Sequence, residues 1–207
     1  IVNMLKRLRV ECTLSSDPST IVQARRLILP GVGHYDAAVR RLRSAGLWSV
    51  LDEKVRNDHT PILGICLGMQ LLTRGSEEGD LPGFGWIPAT VKRFQLPEDS
   101  RLKVPHMGWN VVHPCIRHPL FAGFENEMRF YFVHSYYAKC EQSGHCLGET
   151  THGLRFASIL GHQHILGVQF HPEKSHRFGM QLLRNYIDFS GDLIRAHSPR
   201  DPLLAAL

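Results

Sequence analysis

The chain has 207 residues, of which 43% are hydrophobic and 21% charged, and its formal net charge is +5. This length and composition are typical of one globular domain with a sizeable core. No apolar run approaches a membrane span, no signal peptide is visible, and no aromatic–basic stripe accompanies the arginines, so membrane and nucleic-acid partners are not expected. Five cysteines in a chain of this size favour reduced thiols and a cytoplasmic location.

The first third of the chain alternates helical and extended patterns. Helical spacing of apolar residues predicts helices over 1–8, just after 18, over 35–44 and over 47–55. Short apolar or alternating runs predict strands over 10–14, 26–30 and 61–66. Because helices connect successive strands, this region predicts a parallel sheet with helices on both faces.

From Gly83 onward, short β-like runs dominate the sequence. They cover 90–94, 109–113, 128–137, 156–160 and 165–170. An amphipathic helix is predicted from Ser175 to about Phe189, and the tail after Gly191 has two prolines and no strong pattern. The predicted fold is an α/β domain over 1–190 with a tail over 191–207. Its mostly parallel sheet is flanked by helices and has an additional antiparallel β portion.

The segment 61–72 joins a short apolar strand to the start of a helix, and Cys66 stands at the junction. Gly64 and Gly68 flank it, as in a nucleophile elbow, where small residues permit a sharp turn that exposes one side chain. The N-terminus of the following helix would face the sulfur and favour the thiolate, which is the reactive form. The alternative is a core cysteine, since free cysteines are commonly buried.

A second candidate is the tripeptide His171-Pro172-Glu173, just after a predicted strand. Residues two apart in an extended segment project to the same side, so His171 and Glu173 should be neighbours. A carboxylate bound to one imidazole nitrogen leaves the other nitrogen free to take a thiol proton. Alone, such a tripeptide is usually a loop with a salt-bridged histidine. Combined with Cys66 at another strand end, it predicts a Cys-His-Glu triad for acyl transfer.

Two further stretches carry weaker signals. The glycines of 30–33 follow a predicted strand and could bring backbone N–H groups to an oxyanion, or could form only a tight turn. The stretch 140–152 contains two cysteines and two histidines, namely Cys140, Cys146, His145 and His152. Their spacing is not that of a short zinc-ligand pair, so the sequence favours an exposed loop and strand over a metal site.

The segments 64–70 and 170–173 together resemble the class I glutamine amidotransferases. The resemblance implies that Cys66 attacks the side-chain amide of L-glutamine, that His171 is the general base and then acid, and that Glu173 orients it. Ammonia leaves, a glutamyl thioester is hydrolysed, and no cofactor or metal is implied. The resemblance assigns the oxyanion-binding backbone to Gly31, Val32, Gly33 and Leu67. It assigns the glutamine pocket to Gln70, Glu78, Ser135 and Tyr136.

Further motifs are similar to those of the glutaminase subunits of imidazole glycerol phosphate synthase, over about 1–189. The motifs lie at 29–33, 104–110, 132–137 and 171–175. In that family the subunit forms a heterodimer with a (β/α)₈-barrel synthase subunit, which uses the ammonia in histidine biosynthesis. The implied interface residues are Met107, Trp109, Asn110 and Lys174. The family chain begins with a β-strand, whereas this sequence begins within the first helix, which predicts a missing strand and an unpaired neighbour.

Three other functions are compatible with these motifs. A homologous subunit could supply ammonia to a different acceptor, such as a ligase that amidates a surface sugar. An inactive subunit could only dock on a partner, which the apparent loss of a strand favours and the intact triad disfavours. A cysteine peptidase or γ-glutamyl hydrolase could have a similar fold, although the segment 107–110 disfavours it.

Overall fold

The computed structural model describes residues 1–97, 99–125 and 127–189 and the backbone of 203–206. The helices are α1 (Val2–Arg7), α2 (Pro18–Val22), α3 (Tyr35–Ser44), α4 (Leu47–Arg56), α5 (Leu67–Leu71) and α6 (His176–Asp188). The strands are β1 (Cys12–Ser15), β2 (Leu27–Gly31), β3 (Ile62–Cys66), β4 (Ala89–Arg93), β5 (His106–Pro114), β6 (Met128–His134), β7 (Tyr136–Cys140), β8 (Cys146–His152), β9 (Leu154–His162), β10 (Ile165–Val168) and β11 (Leu203–Ala206). Within the described residues, no helix is long and apolar enough to cross a membrane.

The strands form one mixed sheet in the order β1-β11-β2-β3-β10-β9-β8-β5-β6. The pairings from β1 to β10 are parallel, and those from β10 to β6 are antiparallel. Strand β7 pairs antiparallel with β9 and with β4, which forms a side branch. The predicted α/β class, a parallel region with an additional antiparallel portion, is confirmed.

Side chains of the central strands alternate between two cores. Leu27 and Leu29 of β2 pack in the core that includes residues of α2, α3 and α4. Ile28 points to the opposite face and packs in the core that includes residues of α1 and α6. Strand β3 is buried along its whole length, as expected for a parallel strand that helices cover on both faces.

The last helix is fixed to the amino ends of β2 and β3. The Tyr186 hydroxyl donates to the carbonyl oxygens of Leu27 at 2.6 Å and Pro61 at 3.0 Å. Arg26 donates in turn to the carbonyl oxygens of Tyr186 and Phe189 at the end of α6. A helix of this length spans about 20 Å, slightly more than a five-residue strand. The beginning of α6, and the turn before it, therefore reach the carboxyl ends of the strands.

Several predicted boundaries need correction. The helix predicted over 35–44 coincides with α3, whereas the first strand begins two residues later than predicted. The run predicted over 128–137 is two strands, because the chain turns at Ser135 and β6 and β7 pair with different neighbours. In the stretch 140–152 the loop is exposed, but β8 is mostly buried, since it lies inside the sheet.

The outer neighbour of β2 is β11, from the tail of the chain. Leu204 and Ala205 pair in parallel with Leu27 and Ile28, and β11 also pairs in parallel with β1. The expected unpaired edge is therefore not found at β2. The rest of the tail predicted over 191–207 lies outside the described residues, and the division of the chain at 190 stays a prediction.

Glycines allow α5 to begin directly against β2 and β3. A Cβ at Gly68 would overlap the carbonyl oxygen of Leu29, and one at Gly64 would lie 2.7 Å from the Met69 nitrogen. A Cβ at Gly31 would lie 2.8 Å from the Gly68 nitrogen. These obstacles are backbone atoms, so they could yield only if the strands and the helix moved apart.

We expect Gly68→Ala to lower the free energy of unfolding by about 1–3 kcal/mol or more, the usual cost of overpacking. Urea denaturation followed by circular dichroism measures this change. The control is Gly144→Ala, because a Cβ at Gly144 meets no atom within 4 Å. We expect the control to stay within about 0.5 kcal/mol of the wild type. Equal stability of the two variants would contradict this packing of α5.

Candidate active site

Cys66 stands where β3 ends and α5 begins, as predicted. Its backbone has φ 54° and ψ −112°, and its residue surface is 8% exposed. A positive φ is uncommon for a residue other than glycine, and such conformations cluster at functional sites. The conformation places the sulfur at the carboxyl edge of the parallel strands, beside the first turn of α5.

His171 links the Cys66 sulfur to a carboxylate. Its Nδ1–H donates to Glu173 Oε1 at 2.7 Å, which leaves Nε2 for the hydrogen bond with Cys66. The backbone around the imidazole is fixed as well. The His171 N–H donates to the Tyr131 carbonyl at 2.9 Å, and the Ser175 hydroxyl donates to the His171 carbonyl at 2.6 Å. The structure therefore brings all three predicted triad residues into one hydrogen-bonded series.

Interactions within this series shift the pKa values of His171 and Glu173. Burial by itself lowers the pKa of His171, but the Cys66 sulfur and the Glu173 carboxylate outweigh burial and raise that pKa to about 9. Burial raises the pKa of Glu173, but the hydrogen bond from His171 outweighs it and brings that pKa below its ordinary value. At neutral pH the imidazole is therefore protonated, between the Cys66 sulfur and the Glu173 carboxylate.

Gln169 is a site residue that was not predicted from the sequence. Its fully buried side chain donates from Nε2 to Cys66 Sγ at 3.7 Å and accepts at Oε1 from Gln70 Nε2 at 3.1 Å. Gln70 Nε2 also lies 3.4 Å from the carbonyl oxygen of Tyr136. The spacing of Gln169, two residues before His171 in an extended segment, is the signal that could have identified it.

The predicted oxyanion residues lie on two sides of Cys66. Gly31 pairs with Cys66 in the register of β2 and β3, and Gly33 follows with φ 94°. Val32, between them, is 76% exposed. Leu67 is the first residue of α5, where backbone N–H groups have no partner within the helix. The four residues therefore belong to the same edge of the sheet.

The predicted glutamine-pocket residues approach this edge from other elements. Glu78 Oε2 accepts from the Tyr35 N–H at 2.9 Å, at the beginning of α3 and just after the glycines of 30–33. Ser135 and Tyr136 form the junction of β6 and β7. Their carbonyl groups are held by hydrogen bonds, that of Ser135 by the Phe94 N–H at 3.0 Å. The structure places Tyr136 beside Gln70 and Glu78 beside the oxyanion segment.

Two buried histidines extend the network behind Tyr136. His134 Nδ1 lies 2.7 Å from the Tyr136 carbonyl oxygen, so this nitrogen carries the proton. His134 Nε2 then accepts from His106 Nδ1 at 2.9 Å, and His106 Nε2 accepts from Asn110 Nδ2 at 3.1 Å. Burial lowers the pKa of His106 to about 4 and that of His134 to about 3, so both rings are neutral. Asn110, predicted at an interface, thus uses its side chain within the fold.

The other predicted interface residues lie near the turn that holds His171. Trp109 is 41% exposed and stacks on His176, with ring centroids 5.6 Å apart. The Tyr131 ring contacts Trp109 edge-on and has Lys174 Nζ 5.6 Å from its centroid. Met107 is 61% exposed on the same strand as Trp109. Apolar and basic side chains thus share one surface beside the triad.

The fold and this site define the class of the protein. Residues 1–188 match the family glutamine amidotransferase class-I, so the chain belongs to that family. A crystal structure of a glutamine amidotransferase has the same fold, with a TM-score of 0.70 at 18% identity over 92% of each chain. A putative GMP synthase protein from Thermoplasma acidophilum has a TM-score of 0.66 at 20% identity over 90% of this chain and 84% of its own.

More similar relatives identify the branch of the family. The imidazole glycerol phosphate synthase subunit HisH of Bdellovibrio bacteriovorus is 43% identical over 89% of this chain and 91% of its own. Proteins named subunit HisH 2 from Pseudomonas aeruginosa and Methanococcus maripaludis are 45% and 46% identical, over 91% and 90% of this chain and 92% of each relative. Within its class, the chain therefore belongs to the HisH subunits of imidazole glycerol phosphate synthase.

We expect the His171 imidazole to titrate near pH 9, and at lower pH in Cys66→Ala and in Glu173→Gln. Each variant lacks one partner that favours the protonated ring. Because the folded pKa lies above the ordinary value of 6.5, the contribution of His171 to stability is complete below pH 6.5 and is lost as the pH rises through 9. Nuclear magnetic resonance of the imidazole signals, assigned with His171→Ala, measures the midpoints.

The matched control for this titration is Glu127→Gln, because Glu127 is exposed and lies near Arg129 rather than His171. Its His171 midpoint should equal that of the wild type. Unchanged midpoints in both Cys66→Ala and Glu173→Gln would contradict the electrostatic description of the triad.

Proposed function

We propose that the protein is the glutaminase subunit of an imidazole glycerol phosphate synthase. It hydrolyses L-glutamine to glutamate and ammonia and delivers the ammonia to a synthase subunit in histidine biosynthesis. The observation that carries this proposal is the hydrogen-bonded series from the buried Cys66 sulfur through the buried His171 to Glu173, with 2.7 Å between His171 Nδ1 and the Glu173 carboxylate. The names of the relatives support this acceptor rather than a surface sugar.

In the first step, the Cys66 thiolate attacks the side-chain amide carbon of glutamine. The electron pair of the C=O bond moves to oxygen, and backbone N–H groups of 31–33 and of Leu67 stabilise the resulting oxyanion. When the tetrahedral intermediate collapses, His171 donates its Nε2 proton to the amide nitrogen and the C–N bond breaks. Ammonia leaves, and a glutamyl thioester remains on Cys66.

In the second step, neutral His171 takes a proton from water while the water oxygen attacks the thioester carbon. The C–S bond then breaks, glutamate leaves, and Cys66 departs as a thiolate beside the protonated imidazole. Glu173 holds the Nδ1–H through both steps, so Nε2 always faces the reacting atoms. The raised pKa of His171 keeps the proton available for ammonia at neutral pH.

The remaining pocket residues position glutamine. Glu78 supplies a carboxylate for the α-ammonium group, while Ser135 and Tyr136 contribute backbone groups at the junction of two strands. Gln70, which bridges Gln169 and the Tyr136 carbonyl, closes the pocket on the helix side. These assignments rest on the edge of the sheet that the residues share with Cys66.

The partner of this subunit is a (β/α)₈-barrel synthase with which it forms a heterodimer. Ammonia is mostly protonated near neutral pH and would be lost to bulk water, so it needs a closed path between subunits. Met107, Trp109 and Lys174 lie beside the triad, where such a path would begin. A cytoplasmic location fits this chemistry, because the reaction requires a reduced thiol at Cys66.

Ammonia release from glutamine, with and without the synthase partner and its nucleotide ligand, tests the reaction. We expect weak activity alone and strong stimulation in the complex. Cys66→Ala should abolish the stimulated activity, and His171→Ala should lower it by about a hundredfold or more, as for loss of a general base. The control is Cys12→Ala, which removes a half-buried thiol on β1. Stimulated activity that survives Cys66→Ala would refute the mechanism.

Trp109→Ala and Lys174→Ala test the docking surface. We expect each variant to lose most of the stimulation by the partner while Cys66 remains open to alkylation at the wild-type rate. The matched control is Lys139→Ala, because Lys139 is exposed on β7, away from the surface around Tyr131. Unaltered stimulation in both test variants would refute the interface assignment.

A further inference from the structure

Three cysteine thiols meet at a second place in the fold. Cys115 directly follows β5, Cys140 ends β7, and Cys146 begins β8. The sulfur atoms of Cys115 and Cys146 lie 3.7 Å apart, and the Cys140 thiol is hydrogen-bonded to Cys146. Strands β9 and β10 separate β8 from β3, so this cluster is distinct from the Cys66 site.

Glu149 on β8 brings a carboxylate to the thiols. Its oxygen and the sulfur atoms of Cys115 and Cys146 all lie within 4.8 Å of one another. The backbone holds this arrangement, because His113 pairs with Glu149 and the Cys115 N–H donates to the Leu147 carbonyl at 2.8 Å. The positions of Cys115, Cys146 and Glu149 are thus set by the sheet rather than by mobile loops, while the Cys140 sulfur lies outside this 4.8 Å group.

We propose that Cys115, Cys146 and Glu149 bind one Zn²⁺ ion in a four-coordinate structural site, with the Cys140 side chain turning toward the ion as the fourth ligand. Two sulfur atoms bound to the same tetrahedral zinc ion at about 2.3 Å lie about 3.8 Å apart. The Cys115 and Cys146 sulfurs already have that separation, at 3.7 Å. Thiolates with a carboxylate match zinc, whereas a wholly soft ion such as Cu(I) prefers sulfur alone.

Zinc would bind these thiols as thiolates, so binding would release protons and the affinity would increase with pH. Glu149 lies 3.6 Å from the exposed Arg155, and a cation can replace this surface contact.

The surroundings of the cluster give an ion access from solvent and explain why nearby histidines are not among the proposed ligands. A surface pocket of about 600 Å³ opens onto Cys115 and Glu149 and gives an ion a path from solvent. The two nearby histidines are occupied elsewhere. His145 pairs with His162 at 3.1 Å, and His152 donates to the Lys103 carbonyl at 2.9 Å. The spacing within 140–152 had disfavoured a metal site in the sequence. The further ligand Cys115 lies outside that stretch, at the end of another strand.

A bound ion would join the ends of β5, β7 and β8. Strand β5 carries Met107 and Trp109, so the site would stabilise the strand that presents the proposed docking surface. Because four protein groups fill the coordination sphere, the ion takes no part in chemistry. The zinc proposal is independent of the proposed glutaminase activity, and either can fail without the other.

The full chain, kept reduced with a phosphine and free of metal, is titrated with Co²⁺ as a spectroscopic probe for zinc. We expect one equivalent to produce thiolate-to-cobalt charge-transfer absorption and the visible bands of tetrahedral cobalt. One equivalent of Zn²⁺ should bleach both signals. Zn²⁺ alone should also raise the Tm of the wild type, since a ligand that binds only the folded state stabilises it.

Variants test whether the cysteine cluster is the site that binds cobalt. Cys115→Ser and Glu149→Gln, which change residues that are not fully buried, should weaken cobalt binding by at least about tenfold, and Cys146→Ser should abolish it. Cys12→Ser and Cys66→Ala should keep the full spectrum. The proposal is overturned by an absent tetrahedral spectrum or by a spectrum that persists in Cys115→Ser and Cys146→Ser.

Discussion

The close packing of α5 against the carboxyl ends of β2 and β3 is the constraint on which the site depends. Glycines at 31, 64 and 68 allow backbones to meet where any Cβ would collide. The chain turns from β3 into α5 through a positive φ at Cys66, which places the sulfur at the carboxyl edge of the sheet. The segment 31–33, the beginning of α5 and the Cys66 sulfur are therefore positioned by one contact.

Buried charge is the second organising feature. A lone protonated imidazole at 4% exposure would be costly, but His171 lies between a thiol sulfur and a carboxylate. Burial also lowers the pKa of His106 and His134, and because no carboxylate or thiol partner outweighs it there, both rings stay unprotonated. Neighbours, rather than depth, thus decide which of these histidines is protonated at neutral pH.

The antiparallel portion of the sheet supplies side chains and carbonyl groups that surround the Cys66 site. The junction of β6 and β7 carries Ser135 and Tyr136, which we propose for the glutamine pocket, and β5 presents the exposed Met107 and Trp109. Hydrogen bonds from Asn110 through two histidines connect that strand to the Tyr136 carbonyl beside Gln70. The thiol cluster lies at the other end of β5, so one strand links the candidate zinc site, the proposed docking surface and the proposed glutamine pocket.

Local patterns in the sequence determined the strand-to-helix junction at Cys66, the bounds of α3 and the neighbouring positions of His171 and Glu173. These features depend on spacing within a few residues. Only the tertiary structure decided the contacts made across strands. Gln169 touches Cys66 because β10 pairs with β3, β11 lies between β1 and β2, and Cys115 reaches Cys146 because β5 pairs with β8. Strand order is set by packing of the whole chain, which no local pattern encodes.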